Sequence, residues 1–455
     1  MNIYKKFLLI KEDSVRQFEM SLPNFKNISQ DCVKCGKCIP SCTIYQINRD
    51  ESTSPRGFLD LLGAYERGDL ELDKNAKNIF ESCFLCTTCV QVCPGTLPVD
   101  VMIEKIRVDI ANKYGIAWYK KIFFYLLKNR KVMDFVFSFV YFVSPCVLQS
   151  NDTKTKNRFR FKLPKMGKRT IFPFSSKSFL QRYFGEILSK NKIPNSNLSH
   201  NKVAIFIGCL SNYNYVGVGE SLLFILDKLG INVLIPKQEC CGAPAYFTGD
   251  IKTVRHLIKK NIIYFEDFIH KVDAILIPEA TCAAMLIEDW EHALSEDEQA
   301  EEWLKRLKPL KSKMQMASLW LEKNTSLIAM LRSSPMQNQS ITYHDPCHAR
   351  KVLKIYQEPR NLLAQNYKMI EMSDSSRCCG FGGISMQSDK YDLVVKAGEP
   401  KAKMIQESGA DIVSAECSAC RMQLDNAMDN ARVEATFSHP LELIALALGK
   451  SSQMT

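Results

Sequence analysis

What this 455-residue chain lacks narrows its role before any motif is weighed. No Gly-x-Gly-x-x-Gly follows a strand pattern and opens a helix. Gly217-Val218-Gly219 has no third glycine in place, and no Walker A sequence occurs, so neither a dinucleotide nor a nucleoside triphosphate finds its usual cradle. Without a flavin or nicotinamide site the chain cannot itself oxidise an alcohol carbon; any such active site belongs on another polypeptide. Clean membrane spans are missing too. The run VMDFVFSFVYFVSPCVL stops at about 17 residues, contains Asp134 and meets Pro145, short of the roughly 20 apolar residues a spanning helix needs. The N-terminal MNIYKKFLLIKED has four apolar residues between its lysines and Lys11. That is too short for a signal-peptide core and lacks a cleavage site, so a cytoplasmic location with reduced thiols is expected.

With 46% apolar residues the chain is neither disordered nor polytopic, and its length allows two to four domains. Its net charge is +11, from 60 Lys plus Arg against 49 Asp plus Glu, and the position of that excess matters more than its sum.

Cysteine is what the chain has in plenty, 18 in all. Between Asp31 and Gly95 eight of them repeat C-x2-C-x2-C-x3-C: Cys32, Cys35, Cys38 and Cys42, then Cys83, Cys86, Cys89 and Cys93, with Pro94 after the second run. Three thiolates at this spacing wrap one cubane, and the fourth reaches across to the other. Crossed ligation follows: Cys32, Cys35, Cys38 and Cys93 on one [4Fe–4S] cluster, Cys83, Cys86, Cys89 and Cys42 on the second. Zinc has no use for a third cysteine in each run, and disulfides need an oxidising compartment. Between the runs Pro55-Arg56-Gly57 breaks the chain, and Phe58, Leu59, Leu61, Leu62 and Tyr65 form a helical stripe able to cover a cluster. Arg56 either donates a hydrogen bond near a cluster, raising its potential, or is a structural or surface arginine. A helix over VDVMIEKIRVDIANKYG, stopped by Gly115, closes an α-helical two-cluster ferredoxin domain spanning residues 1–115, which a helical lead-in opens.

Residues 116–199 read as amphipathic helices and a basic linker. Apolar and aromatic residues from Ile122 to Leu127 lead to Lys128, Arg130 and Lys131, then to the apolar run. After that come Lys154, Lys156, Arg158, Arg160, Lys162, Lys165, Lys168 and Arg169. Rings beside cations suit an interfacial helix on anionic lipid, hence peripheral contact with the inner face of the cell membrane. The other readings are a buried or partner-docking helix pair with a solvated linker, or a true span. Nucleic acid is a poor fit, since no recognition motif accompanies the charge. Cys146 matches no motif and reads as an inert thiol.

From residue 200 strands alternate with helices, and an internal duplication shows: Cys209, Cys240 and Cys282 recur as Cys347, Cys378 and Cys420, each 138 residues later. Two small parallel sheets are expected, a first unit at 200–335 and a second at 336–455, with cysteines where strands end. The second unit offers Cys347, Cys378, Cys379, Cys417 and Cys420. A vicinal pair favours a cluster in which two irons share it, with Gly380, Gly382 and Gly383 letting backbone pass close by. The first unit offers only Cys209, Cys240, Cys241 and Cys282; Glu279 stands in for Cys417, or Met285 for Cys420, depending on where the gap is placed. That set holds a four-thiolate cluster, another metal, or nothing beyond packed thiols. His344, His348 and His439 read as structural or hydrogen-bonding residues, and no catalytic residue is assigned.

The motifs DCVKCGKCIPSC, SPRG, SCFLCTTCVQVCPG, IGCLSNYN, QECCGAPA, YHDPCH, RCCGFGG, ECSAC and HPLELIALAL resemble those of the cysteine-rich (CCG-domain) iron–sulfur subunits. Within that family the layout is similar to the C subunit of anaerobic glycerol-3-phosphate dehydrogenase and to the iron–sulfur subunits of glycolate oxidase, lactate-utilisation enzymes and heterodisulfide reductase. The resemblance implies an electron-transfer subunit that takes electrons from an FAD-containing partner and passes them toward membrane quinone. It also implies a noncubane [4Fe–4S] cluster on Cys347, Cys378, Cys379, Cys417 and Cys420. Catalysis of disulfide reduction by that cluster is the alternative, weakened by the incomplete first set. Thr43, where Pro usually follows a run's last cysteine, is a small departure.

Overall fold

The structure, a computed structural model, describes residues 28–150, 157–160, 169–191 and 202–451. The expected lead-in helix lies almost wholly outside these residues, as do Lys154, Lys156, Lys162, Lys165 and Lys168 of the basic linker.

The front of the chain is helical because its apolar residues recur at helical spacing between good caps. Helix α1 (Pro55–Arg67) starts on Ser54, whose hydroxyl accepts the Gly57 N–H at 3.0 Å, has Pro at its first position and ends on left-handed Gly68. Its Phe58, Leu59 and Leu62 are buried. Helix α2 (Val99–Tyr114) stops at Gly115, as the sequence leads one to expect, and buries Met102, Ile103, Ile106 and Ile110.

Helices α3 (Trp118–Lys128) and α4 (Arg130–Val147) follow. α4 runs past Pro145, which the sequence suggests as a stop. The carbonyl of Tyr141, which a proline nitrogen cannot serve, instead accepts the Ser144 hydroxyl at 2.8 Å. Asp134 is not a stray charge in an apolar run: it accepts from Tyr213 at 2.8 Å and Ser178 at 3.2 Å. Among the described residues no helix is long and apolar enough to cross a membrane. A short antiparallel pair, β1 (Leu148–Ser150) and β2 (Asn157–Phe159), follows α4.

Two α/β units make up the rest. In the first, β3 (Gly185–Ile187), β4 (Lys202–Ile205), β5 (Asn232–Ile235), β6 (Ala274–Ile277) and β7 (Met314–Met316) lie in the order β3-β5-β4-β6-β7, parallel except for the edge strand β3. In the second, β8 (Ser340–Tyr343), β9 (Lys368–Met369), β10 (Ile412–Ser414) and β11 (Thr436–Ser438) lie in the order β11-β10-β8-β9, all parallel. β4 and β8, and β6 and β10, keep the 138-residue offset, starting at 202 and 340 and at 274 and 412. β6 is buried at every position, as a central parallel strand must be.

The helical front is wedged against both units. Gly249 approaches α2 so closely that a Cβ there would sit 2.2 Å from the Arg107 carbonyl oxygen, and a Cβ on Gly382 would sit 2.7 Å from the Phe84 ring; both glycines have positive φ. Arg107 of α2 is buried, donating to the carbonyls of Cys83 (2.7 Å) and Phe247 (2.9 Å). One turn earlier, burial raises Glu104, with Asp289 and Asp100 adding to the effect. Asp289 itself is pushed up to about 8, by burial first and then by Asp100 and Glu288. Its ordinary value is 3.8, so the folded state favours the protonated form. This contact is therefore strongest at low pH and weakens as pH rises until about 8, where the loss is complete. Asp289→Asn, which cannot ionise, should flatten the fall of melting temperature between about pH 6 and about 8 relative to the unaltered protein. Identical slopes would refute this assignment.

Candidate metal centres

The two cysteine runs share one backbone path. Lys34 (φ 53°) and Leu85 (φ 51°), each between the first and second cysteine of its run, are left-handed, and so are Gly36 (φ 75°) and Thr87 (φ 54°), each between the second and third. These turns coil each run around its own centre. A cavity lies within the second, lined by Cys42, Cys83, Cys86 and Cys89 with Ile44, Phe58 and Val99. The Leu85 N–H points at the Cys83 sulfur (3.4 Å), and the Thr88 hydroxyl lies 3.3 Å from Cys86.

Thiol neighbours fall into two groups. Cys38 is raised by burial and by Cys32, Cys93 and Cys35. Cys42 is pushed up to about 12 by burial, with Cys86 and Cys83 contributing, and Cys89 feels Cys83, Cys86 and Cys42. The fourth cysteine of each run therefore stands with the first three of the other. Cys35 is exposed, while Cys42 is buried. Arg56 donates to Glu51 at 2.9 Å and to the Lys34 carbonyl at 3.3 Å, so it braces the first loop by its backbone.

In the second unit Cys347, Cys378, Cys379, Cys417 and Cys420 are all buried where β8 and β10 end and in the loop carrying the vicinal pair. The Cys379 and Cys420 sulfurs are 3.5 Å apart, the Gly380 N–H points at Cys378 (3.4 Å), and Cys417 caps helix α5 (Ser418–Ala431) with its sulfur facing the Cys420 N–H at 3.5 Å. His344 is fully buried, neither ring nitrogen meets an oxygen or nitrogen partner, and its reach is within 4.8 Å of the Cys379 and Cys420 sulfurs. His348 stacks on Phe247 at 5.6 Å, and His439 caps the Pro440–Ala447 helix by accepting the Leu441 N–H.

In the first unit Cys209, Cys240, Cys241 and Cys282 make a chain of contacts, 209 to 240, 240 to 241 and 241 to 282. Glu279 does not turn toward them as a ligand. Its carboxylate accepts from Ser211, from the Ser418 hydroxyl and from the Ser418 N–H, so the residue in Cys417's place ties the two units together. Met285 is buried in the core.

Four cations escaped the sequence reading. Lys351 and Lys401 are buried beside the five-cysteine set, Arg107 is buried beside Cys83, and half-buried Arg130 lies beside Cys240. Arg130, expected in a surface basic patch, turns inward instead, and its Nε and Nη1 are buried without a partner. Lys351 alone carried a signal, since it lies four residues after Cys347 on a helical turn. Buried thiols crowded together and faced by cations fit anionic iron–sulfur clusters, in which each thiolate brings negative charge.

A family model described as a cysteine-rich domain matches residues 203–287 and again 341–425, and one described as a 4Fe-4S dicluster domain matches residues 28–97. The chain belongs to the cysteine-rich iron–sulfur subunits. It is 27% identical over 409 residues to a probable glycolate oxidase iron-sulfur subunit of Bacillus subtilis (strain 168), covering 87% of this chain and 88% of that one. To lactate utilization protein A of Shouchella clausii (strain KSM-K16) it is 30% identical over 229 residues, 49% of this chain and 89% of that one. To the C subunit of anaerobic glycerol-3-phosphate dehydrogenase of Escherichia coli (strain K12) it is 24% identical over 426 residues, 92% and 98% of the two chains. As an iron–sulfur subunit with a dicluster domain and two cysteine-rich domains, it serves electron transfer.

The crossed grouping has a definite consequence. Cys93→Ser, altered in the second run, should abolish the same paramagnetic signal that Cys35→Ser abolishes and leave the one that Cys86→Ser removes. EPR spectra of the three anaerobically reduced variants check this; a Cys93→Ser spectrum matching that of Cys86→Ser refutes the crossing.

Proposed function

We propose that this chain is the electron-relay subunit of a flavin-dependent dehydrogenase. Its FAD-containing partner oxidises glycerol 3-phosphate or a glycolate- or lactate-type 2-hydroxyacid, and the electrons pass on toward membrane quinone. The observation that carries this reading is the unbroken file of cysteine sets. It runs from exposed Cys35, through the cavity at Cys42, Cys83, Cys86 and Cys89, to the buried set of the second unit, where Cys86 and Cys378 are in direct side-chain contact. Iron–sulfur clusters supply one-electron carriers there. The chain's own residues keep the carriers close, exclude water from the five-cysteine set and set cations beside the inner two. Two cubanes on the ferredoxin-like cysteines and a noncubane cluster on Cys347, Cys378, Cys379, Cys417 and Cys420 are the proposed complement.

Burial also favours relay over the alternative in which the five-cysteine set reduces a disulfide. All five thiols are covered, and a substrate sulfur would have to displace protein to reach them. The isolated chain, supplied with a chemical reductant, should turn over no disulfide, while adding the partner flavoprotein and its substrate should bleach the cluster absorbance. Disulfide turnover by the chain alone would replace relay with catalysis.

Docking on the inner face of the cell membrane is part of the same proposal. On α3, Trp118, Ile122 and Tyr125 are exposed, and on α4, Phe135, Phe139 and Phe142, each trio at the same i, i+4, i+7 spacing; Phe135 and Phe142 are 73% and 72% exposed. Exposed Lys121 and Lys131 accompany them, which suits an apolar stripe laid into anionic headgroups. Replacing Phe135, Phe139 and Phe142 together with Asp should cut co-sedimentation with phosphatidylglycerol vesicles at least tenfold, with cluster spectra unchanged. Undiminished sedimentation would refute the lipid face.

A further inference from the structure

The second cubane's cysteines and the five-cysteine set are not simply neighbours: one buried lysine stands between them. Lys351 projects from the turn His348–Val352, directly after Cys347. Two arginines pin that turn through the fully buried carboxylate of Asp345, with Arg350 at 2.6 Å and Arg360 at 2.5 Å. The Lys351 ammonium lies 3.8 Å from the Cys347 sulfur, donates to the Thr88 hydroxyl and reaches the Cys86 carbonyl at 3.4 Å. Among the described residues its acceptors are thus one hydroxyl, one carbonyl and sulfur, with no carboxylate in hydrogen-bond contact. A bare ammonium in so dry a place is costly unless negative charge faces it. Here Cys347, Cys86 and Cys378 are what face it, from both sides of the junction and ahead of the more weakly felt Asp374.

We propose that Lys351 is a positioning residue for electron passage, its fixed positive charge shared by the Cys86 cubane and the Cys347 cluster so that both are easier to reduce than they would be without it. The inference rests on the relay reading only in requiring clusters at these two sets. A positive charge held beside a centre that gains an electron stabilises the reduced form, and at low local dielectric the effect is large. Because the same ammonium serves both sets, it raises the two potentials together. Among the described residues Lys351 bonds to Cys86, Thr88 and Cys347 and to no cysteine of the first cubane, which with exposed Cys35 and its partners Cys32, Cys38 and Cys93 serves as an internal reference.

The test is an EPR-monitored redox titration of the full chain, loaded with iron anaerobically, with neither partner flavoprotein nor quinone present. Lys351→Met keeps the bulk and removes the charge; Lys351→Gln also keeps hydrogen-bond donation; Lys351→Arg keeps the charge. Both neutral variants should lower the midpoints of the Cys86 cubane and the Cys347 cluster by at least a factor of ten in the reduction equilibrium, about 59 mV for one electron. The first cubane should not move, and the arginine variant should stay within threefold of the unaltered chain. Iron retained by Lys351→Arg but lost from both neutral variants supports the same role, through cluster retention. Loaded neutral variants that titrate like the unaltered chain overturn the inference, as does loss of iron from all three. An unaltered chain without cluster signals would instead overturn the relay reading itself.

Discussion

Crowding sulfur into a dry interior is the constraint on which the rest of this structure turns. A thiolate out of water is expensive, and each neighbouring thiolate makes it more so, which is why Cys42 is pushed up to about 12, and Cys83 and Cys282 up to about 11. Two escapes exist: keep the proton, or meet a cation. Cys42, Cys83, Cys89, Cys378 and Cys420 take the first, each raised above the ordinary thiol range. Cys86 and Cys347 are held below the ordinary thiol range by their contact with Cys378 first and by Lys351 after it. Both adjoining sets thus mix thiols that keep their protons with sulfur that is partly prepared, so iron uptake displaces protons at each and couples cluster assembly to pH and to folding.

The duplication shows how one ancestral arrangement can be bent to two ends. β4 and β8, and β6 and β10, occupy corresponding places in their sheets, and the cysteines follow the strand ends in both units. At the position of Cys417 the first unit has Glu279, whose carboxylate binds the start of α5 across the junction, while the Ala280 N–H donates to the Glu416 carbonyl at 2.8 Å. A carboxylate serves better than a thiol there, because a helix N-terminus offers unpaired N–H groups and favours negative charge. The missing fifth ligand is thus a gained joint between the units.

Much of this was legible in the sequence, for reasons that are local. The cysteine spacings, the 138-residue offset, the Gly115 stop and the strand-helix alternation are all properties of neighbouring residues. What could not be read depends on chain segments far apart in sequence. Lys351 meets Thr88 across 263 residues, and Arg107 meets the Phe247 carbonyl across 140. Arg130 sits in a run of cations, and nothing in its neighbourhood marks it as the one that turns inward beside Cys240 rather than outward with Lys131. Pro145 reads as a helix stop because its own nitrogen cannot donate; that Ser144 supplies the lost hydrogen bond is visible only once both side chains are placed. Glu279 was legible only as the residue standing in Cys417's place, and its partner, Ser418, lies 139 residues on.

The helix pair α3–α4 joins these themes. Buried Lys120 pairs with Asp389 at 2.8 Å and donates to Ser385 at 2.9 Å, fastening α3 to the second unit, while Asp134 and Tyr213 fasten α4 to the first. Arg130, at the start of α4, adds a second tie to the first unit by donating to the Gln238 carbonyl at 3.3 Å, just ahead of the vicinal cysteines. The inner faces of the two helices thus hold charge and hydrogen bonds matched to the cysteine-rich units, and the outer faces hold unmatched rings. A surface anchored so firmly on its inner side cannot shift without moving the cysteine sets with it. In the proposed docking, the lipid plane would therefore set not only where the chain sits but which way its file of sulfur points, and a soluble flavoprotein would meet the exposed Cys35 end in a fixed orientation.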